Sequence, residues 1–158
     1  MTARSIDMLY FDDVAVGDTW QSPARTVTEA DVVNFAGVTG DYNPLHVDHE
    51  FARATPFGKP IAHGLLGLSL VAGLGSYSPA MRTAAFVKIS EWQFLKPIFI
   101  GDTVRVATVV LAKEVRGRGR RGLITWKRQL INQSGTVVQE GTTETLVELR
   151  GDGKTTEP

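Results

Sequence analysis

The stretch from Pro60 to Ala80 contains no acid, lysine or arginine. Within it, His63-Gly64-Leu65-Leu66-Gly67-Leu68-Ser69-Leu70-Val71-Ala72-Gly73-Leu74-Gly75 is apolar almost all round. A helix of this kind is normally surrounded by protein. Its length and its polar flanks make it a buried helix rather than a membrane span. Each glycine costs about 1 kcal/mol of helix propensity against alanine. Close contact with another element, most simply a sheet, must offset that loss.

The second half of the chain supplies the sheet. Residues 86–95, 103–115, 123–132 and 137–149 are strand-like, with clear alternation at Thr103–Ala107 and Thr143–Leu149. Turn signals at Gly101-Asp102, Gly117–Gly122 and Gln133-Ser134-Gly135 separate them. No helical stretch intervenes, so the neighbours are antiparallel. Upstream, Thr28 and Asp31 have the spacing of a capping box for a helix that Gly37–Gly40 ends. Asp48 is positioned to cap a second, short helix reaching Ala54, with Phe51 packed inward. The expected fold class is α+β: one long antiparallel sheet curled around a single apolar helix. The open sheet edge needs cover, which dimerisation would provide. The domain is placed at residues 10–150, with an N-terminal extension at 1–9 and a flexible tail at 151–158.

A chain of 158 residues suits one domain. It has no cysteine, which excludes a disulfide scaffold, a thiol nucleophile, iron–sulfur clusters and thiolate zinc sites. Seventeen basic residues balance seventeen acidic ones, so no global charge draws the chain to nucleic acid or membrane. Asp7, Asp12 and Asp13 precede any apolar run long enough for a secretory leader, and the expected location is the cytoplasm. The charge is unevenly spread. Residues 113–128 hold Lys113, Arg116, Arg118, Arg120, Arg121, Lys127 and Arg128 against Glu114 alone. This basic hairpin is a solvated loop or a contact for a ligand phosphate, since arginine suits phosphate geometry.

Gly40-Asp41-Tyr42-Asn43-Pro44-Leu45-His46 places an acid, an amide and an imidazole in one proline-stiffened loop between two helix signals. A carboxylate and a neutral imidazole can grip one water and remove its proton. The same residue types also suit an ordinary turn with a packed histidine. Phe35-Ala-Gly-Val-Thr-Gly-Asp-Tyr-Asn-Pro-Leu-His46, followed after five residues by Ala52, resembles the hydratase 2 motif of MaoC-like dehydratases and (R)-specific enoyl-CoA hydratases. Thr26–Asp31, Ile61-Ala62-His63-Gly64, Phe94-Leu95-Lys96-Pro97 and Gly101-Asp102-Thr103-Val104 resemble the same family.

The resemblance implies a hot-dog fold and a homodimer or higher oligomer, with neither metal nor redox cofactor. It implies reversible hydration of a trans-2-enoyl thioester to an (R)-3-hydroxyacyl thioester, a hydro-lyase reaction. Asp41 and His46 match the catalytic pair, and Asn43 the motif asparagine that would orient the loop or the water. The backbone N–H of Gly64, at a helix N-terminus, would be the oxyanion donor. Arg116, Arg118, Arg120 and Arg121 would contact the phosphates of coenzyme A or of an acyl carrier's phosphopantetheine. A hot-dog thioesterase and a non-catalytic acyl-binding subunit are the alternatives. His63 is read as a packing or helix-capping residue, with a place in the site as the alternative. Ser69 is read as a buried serine bonding its own helix, and His49 as solvated. Trp92, Phe94 and Trp126 are assigned to the core.

Overall fold

Alternating apolar residues in the second half build four long strands: β3 (Thr83–Phe94), β4 (Thr103–Arg116), β5 (Arg121–Ile131) and β6 (Val137–Glu148). The computed structural model describes residues 8–117 and 120–151. Most of the expected N-terminal extension, Arg118 and all but the first residue of the expected tail lie outside the described residues. Two short strands, β1 (Thr19–Gln21) and β2 (Arg25–Thr26), both pair with β4. The sheet order is β1-β4-β5-β6-β3, and every pairing of these strands is antiparallel. The β3–β6 register slips between Ser90 and Gln93, and Glu91 there takes φ 52°. Leu9 joins the structure through a bridge to Met81, one residue inside the expected extension.

The helices are α1 (Glu29–Thr39), α2 (Pro44–Val47), α3 (His49–Arg53) and α4 (Gly64–Gly75). Helix α4 is the apolar segment. Its Leu66, Leu70 and Val71 pack in one core with Val104 and Val106 of β4, Leu130 of β5 and Val138 of β6. Gly67 faces the sheet so closely that a Cβ there would overlap the Gln139 amide and the Ile98 side chain. That approach is the offset for its low helix propensity. A second cluster, with Phe11, Met81, Val110, Ile124, Trp126 and Val147, fills the sheet further along β4.

Two expectations about burial change. The sheet covers only one face of α4: Leu65 is 58 % exposed, and Ser69, Ala72 and Gly73 are exposed beside it. Beside this open face, β3 exposes Phe86 and Ile89. The all-round apolar character of α4 therefore exceeds what one chain buries. Phe51 and Phe94 are also exposed rather than packed inward, at 48 % and 54 %. On α3 the residue turned inward is Ala52. Trp126 is buried, and Trp92 packs partly buried against the core.

Helix α1 starts on the expected capping box. The Thr28 hydroxyl accepts from the Asp31 N–H at 3.2 Å, and Asp31 accepts from the Thr28 N–H at 2.8 Å. Arg25 pairs with the same carboxylate. Burial opposes ionisation of Asp31, but the Thr28 backbone and hydroxyl donors and Arg25 outweigh it and hold the carboxyl below its ordinary range. Replacing Thr28 by Ala should cost about 1 kcal/mol in chemical denaturation. Because the folded value is the lower one, the Asp31 contribution is present above the unfolded carboxyl's range and lost as pH falls below about 4. Asp31→Asn should accordingly flatten that part of the stability–pH curve.

Candidate active site

Helix α1 stops at Gly40, which adopts the left-handed conformation (φ 78°) and donates its N–H to the Ala36 carbonyl. The chain then turns through Asp41, Tyr42 and Asn43 into α2, a single turn that apolar periodicity is too short to reveal. Pro44 opens that turn, where its missing N–H costs nothing. Asn43 caps it, its Oδ1 accepting from the Leu45 N–H at 3.0 Å, and the Asn43 N–H donates to Asp41 Oδ1 at 3.2 Å. Asn43 thus fixes the loop between the acid and the imidazole. Asp48 caps α3 in turn, accepting from the Phe51 N–H. His49 is solvent-exposed and pairs with Glu29 at 2.8 Å.

His46 is tied to the backbone. Its Nδ1 donates to the Ile61 carbonyl at 2.7 Å. A carbonyl can only accept, so Nδ1 carries the hydrogen and neutral His46 presents a bare Nε2. That nitrogen lies 4.0 Å from Asp41 Oδ2. The separation is too long for a direct hydrogen bond. It does fit one water, whose two O–H groups can be donated to two acceptors at about 2.8 Å each.

His63 belongs to the same constellation. It occupies the N-cap position of α4 but makes no side-chain cap bond. Instead its Nε2 donates to the Asp41 carbonyl at 2.9 Å, and its ring stacks on His46 with centroids 3.8 Å apart. The Phe35 ring leans on the His63 ring at 5.2 Å between centroids. His63 is buried at 3 % exposure, and its Nδ1 has no described partner. Of the packing or helix-capping role read from sequence, the packing is present and the cap is not: His63 instead holds the Asp41 backbone and backs the His46 ring. Only its position before Gly64 signalled the site; the contact to Asp41 spans 22 residues.

Ligand atoms of Asp41, His46 and His63 lie within 4.8 Å of one another. The His63 nitrogen is occupied by its own hydrogen and the Asp41 carbonyl. Two donors remain, short of the three protein ligands of a catalytic zinc.

Gly64 is the first residue of α4, where helix N–H groups have no intrahelical partner. Its carbonyl accepts from Gln139 Nε2 at 3.0 Å, and Gln139 Oε1 accepts from the Trp92 indole at 3.2 Å. Gln139 is 2 % exposed. This buried amide pins the start of α4 to the sheet, and nothing in its local sequence marks it. Gly64 lines a cavity of about 270 Å³ with Phe57, Phe94, Lys96 and Gln139. Ser69 bonds its own helix, as expected, donating to the Leu65 carbonyl at 2.8 Å, but it is exposed.

The basic hairpin stands apart. Arg116 ends β4 and pairs with Glu114 at 2.7 Å; Arg120 and Arg121 are exposed. The Asp41–His46 loop lies toward the opposite end of β4, where Ile61 is bridged to Phe99 and the Phe99 N–H donates to Asp102. Over the 14 residues of β4 the two ends are separated by about 45 Å. Within one chain these arginines and Asp41 do not meet. Arg118 lies outside the described residues.

A short helix capped by asparagine and opening Pro-Leu-His, an aspartate facing its histidine and a glycine opening an apolar helix on an antiparallel sheet have the arrangement of a MaoC-type site. The family model for the MaoC like domain matches residues 13–128. The chain is 34 % identical over 152 residues to an (R)-specific enoyl-CoA hydratase of Rhodospirillum rubrum, covering 96 % of this chain and 100 % of that one. A crystal structure of a MaoC-like dehydratase from the same organism superposes with a TM-score of 0.78 at 31 % identity, over 91 % and 99 % of the two chains. A double hot-dog protein of Mycobacterium tuberculosis shares the fold, with a TM-score of 0.84 at 21 % identity over 96 % of this chain and 47 % of that one. The chain belongs to the MaoC-like family and has its hot-dog fold. No helix among the described residues is long and apolar enough to cross a membrane.

The backbone tethers set the tautomers of both rings. Nitrogen-15 NMR of the neutral protein should show His46 as the Nδ1–H form and His63 as the Nε2–H form; the reverse for His46 would remove its free acceptor.

Proposed function

We propose that this protein interconverts a trans-2-enoyl thioester and the (R)-3-hydroxyacyl thioester, with water held between Asp41 and His46. The observation that carries this reading is the 4.0 Å gap between Asp41 Oδ2 and a bare imidazole nitrogen. Two acceptors at that spacing orient one water and leave its oxygen lone pairs free for attack. The named activities of the relatives support the same reaction class.

In the hydration direction the thioester carbonyl oxygen takes the Gly64 N–H. Asp41 removes a proton from the water while His46 holds it. The water oxygen bonds to C3, and the C2–C3 π pair moves toward C1, placing charge on the thioester oxygen. A donor at a helix N-terminus suits that charge. The enolate collapses as C2 takes the proton back from the same face, so the catalyst is restored. Elimination follows the reverse path. The acyl carrier is coenzyme A or a phosphopantetheine protein. No metal, redox group or other cofactor takes part in these steps.

The working unit is a homodimer or higher oligomer, in which a second copy covers the open face of α4 and β3. An arginine of the β4–β5 hairpin can reach the phosphates of a bound thioester only from such a copy.

Asp41→Asn and His46→Gln should each lower kcat for crotonyl-CoA by roughly 10²- to 10⁴-fold in folded protein. Loss of the conjugated enoyl absorbance without release of free thiol would distinguish hydration from thioester hydrolysis. Turnover of Asp41→Asn within a few-fold of wild type would remove Asp41 from this role. A wild-type protein active only with a different partner chain would favour the acyl-binding-subunit reading.

A further inference from the structure

One cation sits where the strand pattern calls for an apolar side chain. On β5 the residues of the core-facing set are Gly122, Ile124, Trp126 and Leu130, all buried, and Arg128 falls in the same set between the last two. Its cross-strand neighbours are small, Thr108 on β4 and Gly141 on β6. Gly75, the last residue of α4, gives it room: a Cβ there would overlap the guanidinium. Nη1 donates to the Gly75 carbonyl at 3.2 Å and to Thr108 Oγ1 at 3.0 Å. The guanidinium lies 5.2 Å from the Trp126 ring centroid.

Those contacts use two of its five N–H groups. Nε and Nη2 have no partner among the described residues, and no described carboxylate pairs with Arg128. Burial lowers its pKa to about 10, which leaves it charged at neutral pH. The C-terminal end of α4 offsets part of that charge, but a helix cap leaves three donors unanswered.

Arg128 lines a cavity of about 630 Å³ that follows α4 from Leu68 to Ser76. Its walls are mostly apolar, with Ala72, Met81, Phe86 and Ile89 among them. Thr143, in the same wall, has a buried Oγ1 without a described partner. An apolar cavity with one unmatched guanidinium suits a ligand that is hydrocarbon over most of its length and anionic at one point. A carboxylate matches the planar fork of arginine.

We propose that this cavity takes the distal part of an acyl chain that ends in a carboxylate, and that Arg128 binds that carboxylate. The substrates would then be ω-carboxy-2-enoyl thioesters. The proposal rests on the hydratase reading above and names its substrate class. Gly64 opens α4 and Gly75 ends it. Twelve helical residues span about 18 Å, so the preferred chain is extended rather than short.

The test compares pairs of trans-2-enoyl-CoAs of equal length, one ending in methyl and one in carboxylate, over a ladder of lengths. Wild type should favour the carboxylate member of the longer pairs. Arg128→Met should lower the carboxylate-to-methyl ratio of kcat/KM by roughly 10- to 100-fold, as for loss of a charge-assisted hydrogen bond. Arg128→Lys should keep part of the preference, and it carries the comparison if the Met variant does not fold. In parallel, dodecanedioate should raise the melting temperature of wild type more than laurate does, and Arg128→Met should abolish that difference. Turnover with no carboxylate preference would overturn the subsite while leaving the hydratase reading intact. A dodecanedioate shift without turnover of any enoyl-CoA would overturn the hydratase reading while supporting the subsite. Equal loss for both members of every pair in the Arg128 variants would reduce Arg128 to a helix cap.

Discussion

The start of α4 is held to the sheet by one buried amide. Gln139, itself buried, joins the Trp92 indole on β3 to the Gly64 carbonyl through two hydrogen bonds. A buried amide left without such partners costs about 1–3 kcal/mol, so the connection is a strong constraint on where the helix begins. One turn later Gly67 lets the helix settle against Gln139 and Ile98. His63 and Gly64 inherit their positions from these contacts. Through His63, so does Asp41, whose carbonyl oxygen receives the His63 N–H.

The electrostatics of the site follow from the same placement. A helix built almost entirely of apolar residues has little charge of its own to disturb the gap between Asp41 and His46. Its N-terminus still supplies a positive end of the backbone dipole beside the Asp41–His46 loop. The carboxylate of Asp41 is half exposed, at 54 % of its side chain, while His46 is largely enclosed at 12 %. In the proposed reaction, a solvated anion opposite a sheltered, singly oriented imidazole would divide the labour between proton removal and water positioning.

Much of this was legible in the residues alone. Alternation located the four long strands, Thr28 and Asp31 the start of α1, and the Asp41–His46 string the loop that bears the acid and imidazole. The remainder depends on contacts between distant segments. Gln139 looks like any polar residue of an alternating strand, and only the arrival of α4 turns it inward to a partner. His63 could be placed beside Gly64 by sequence but not against Asp41. Charge counted along the chain groups Arg128 with its basic neighbours, whereas strand alternation sets it on the face opposite Lys127. Hydrophobicity alone assigns Phe51, Phe94 and the outer face of α4 to a core, because it does not distinguish burial within a chain from an apolar surface left open.

Both histidines are anchored by main-chain oxygens, His46 by that of Ile61 and His63 by that of Asp41. Every amino acid carries such an oxygen, so the anchoring at position 61 places no demand on side-chain identity there. What must persist is the path of the backbone, set by the bridge from Ile61 to Phe99 on one side and by the left-handed Gly40 on the other. Substitutions at position 61 that preserve the bridge would leave the imidazole orientation untouched. A shift of the peptide plane would rotate the ring with no change in Asp41, Asn43 or His46. Drift in this enzyme's chemistry could thus be written in conformation while its motif stays letter-perfect.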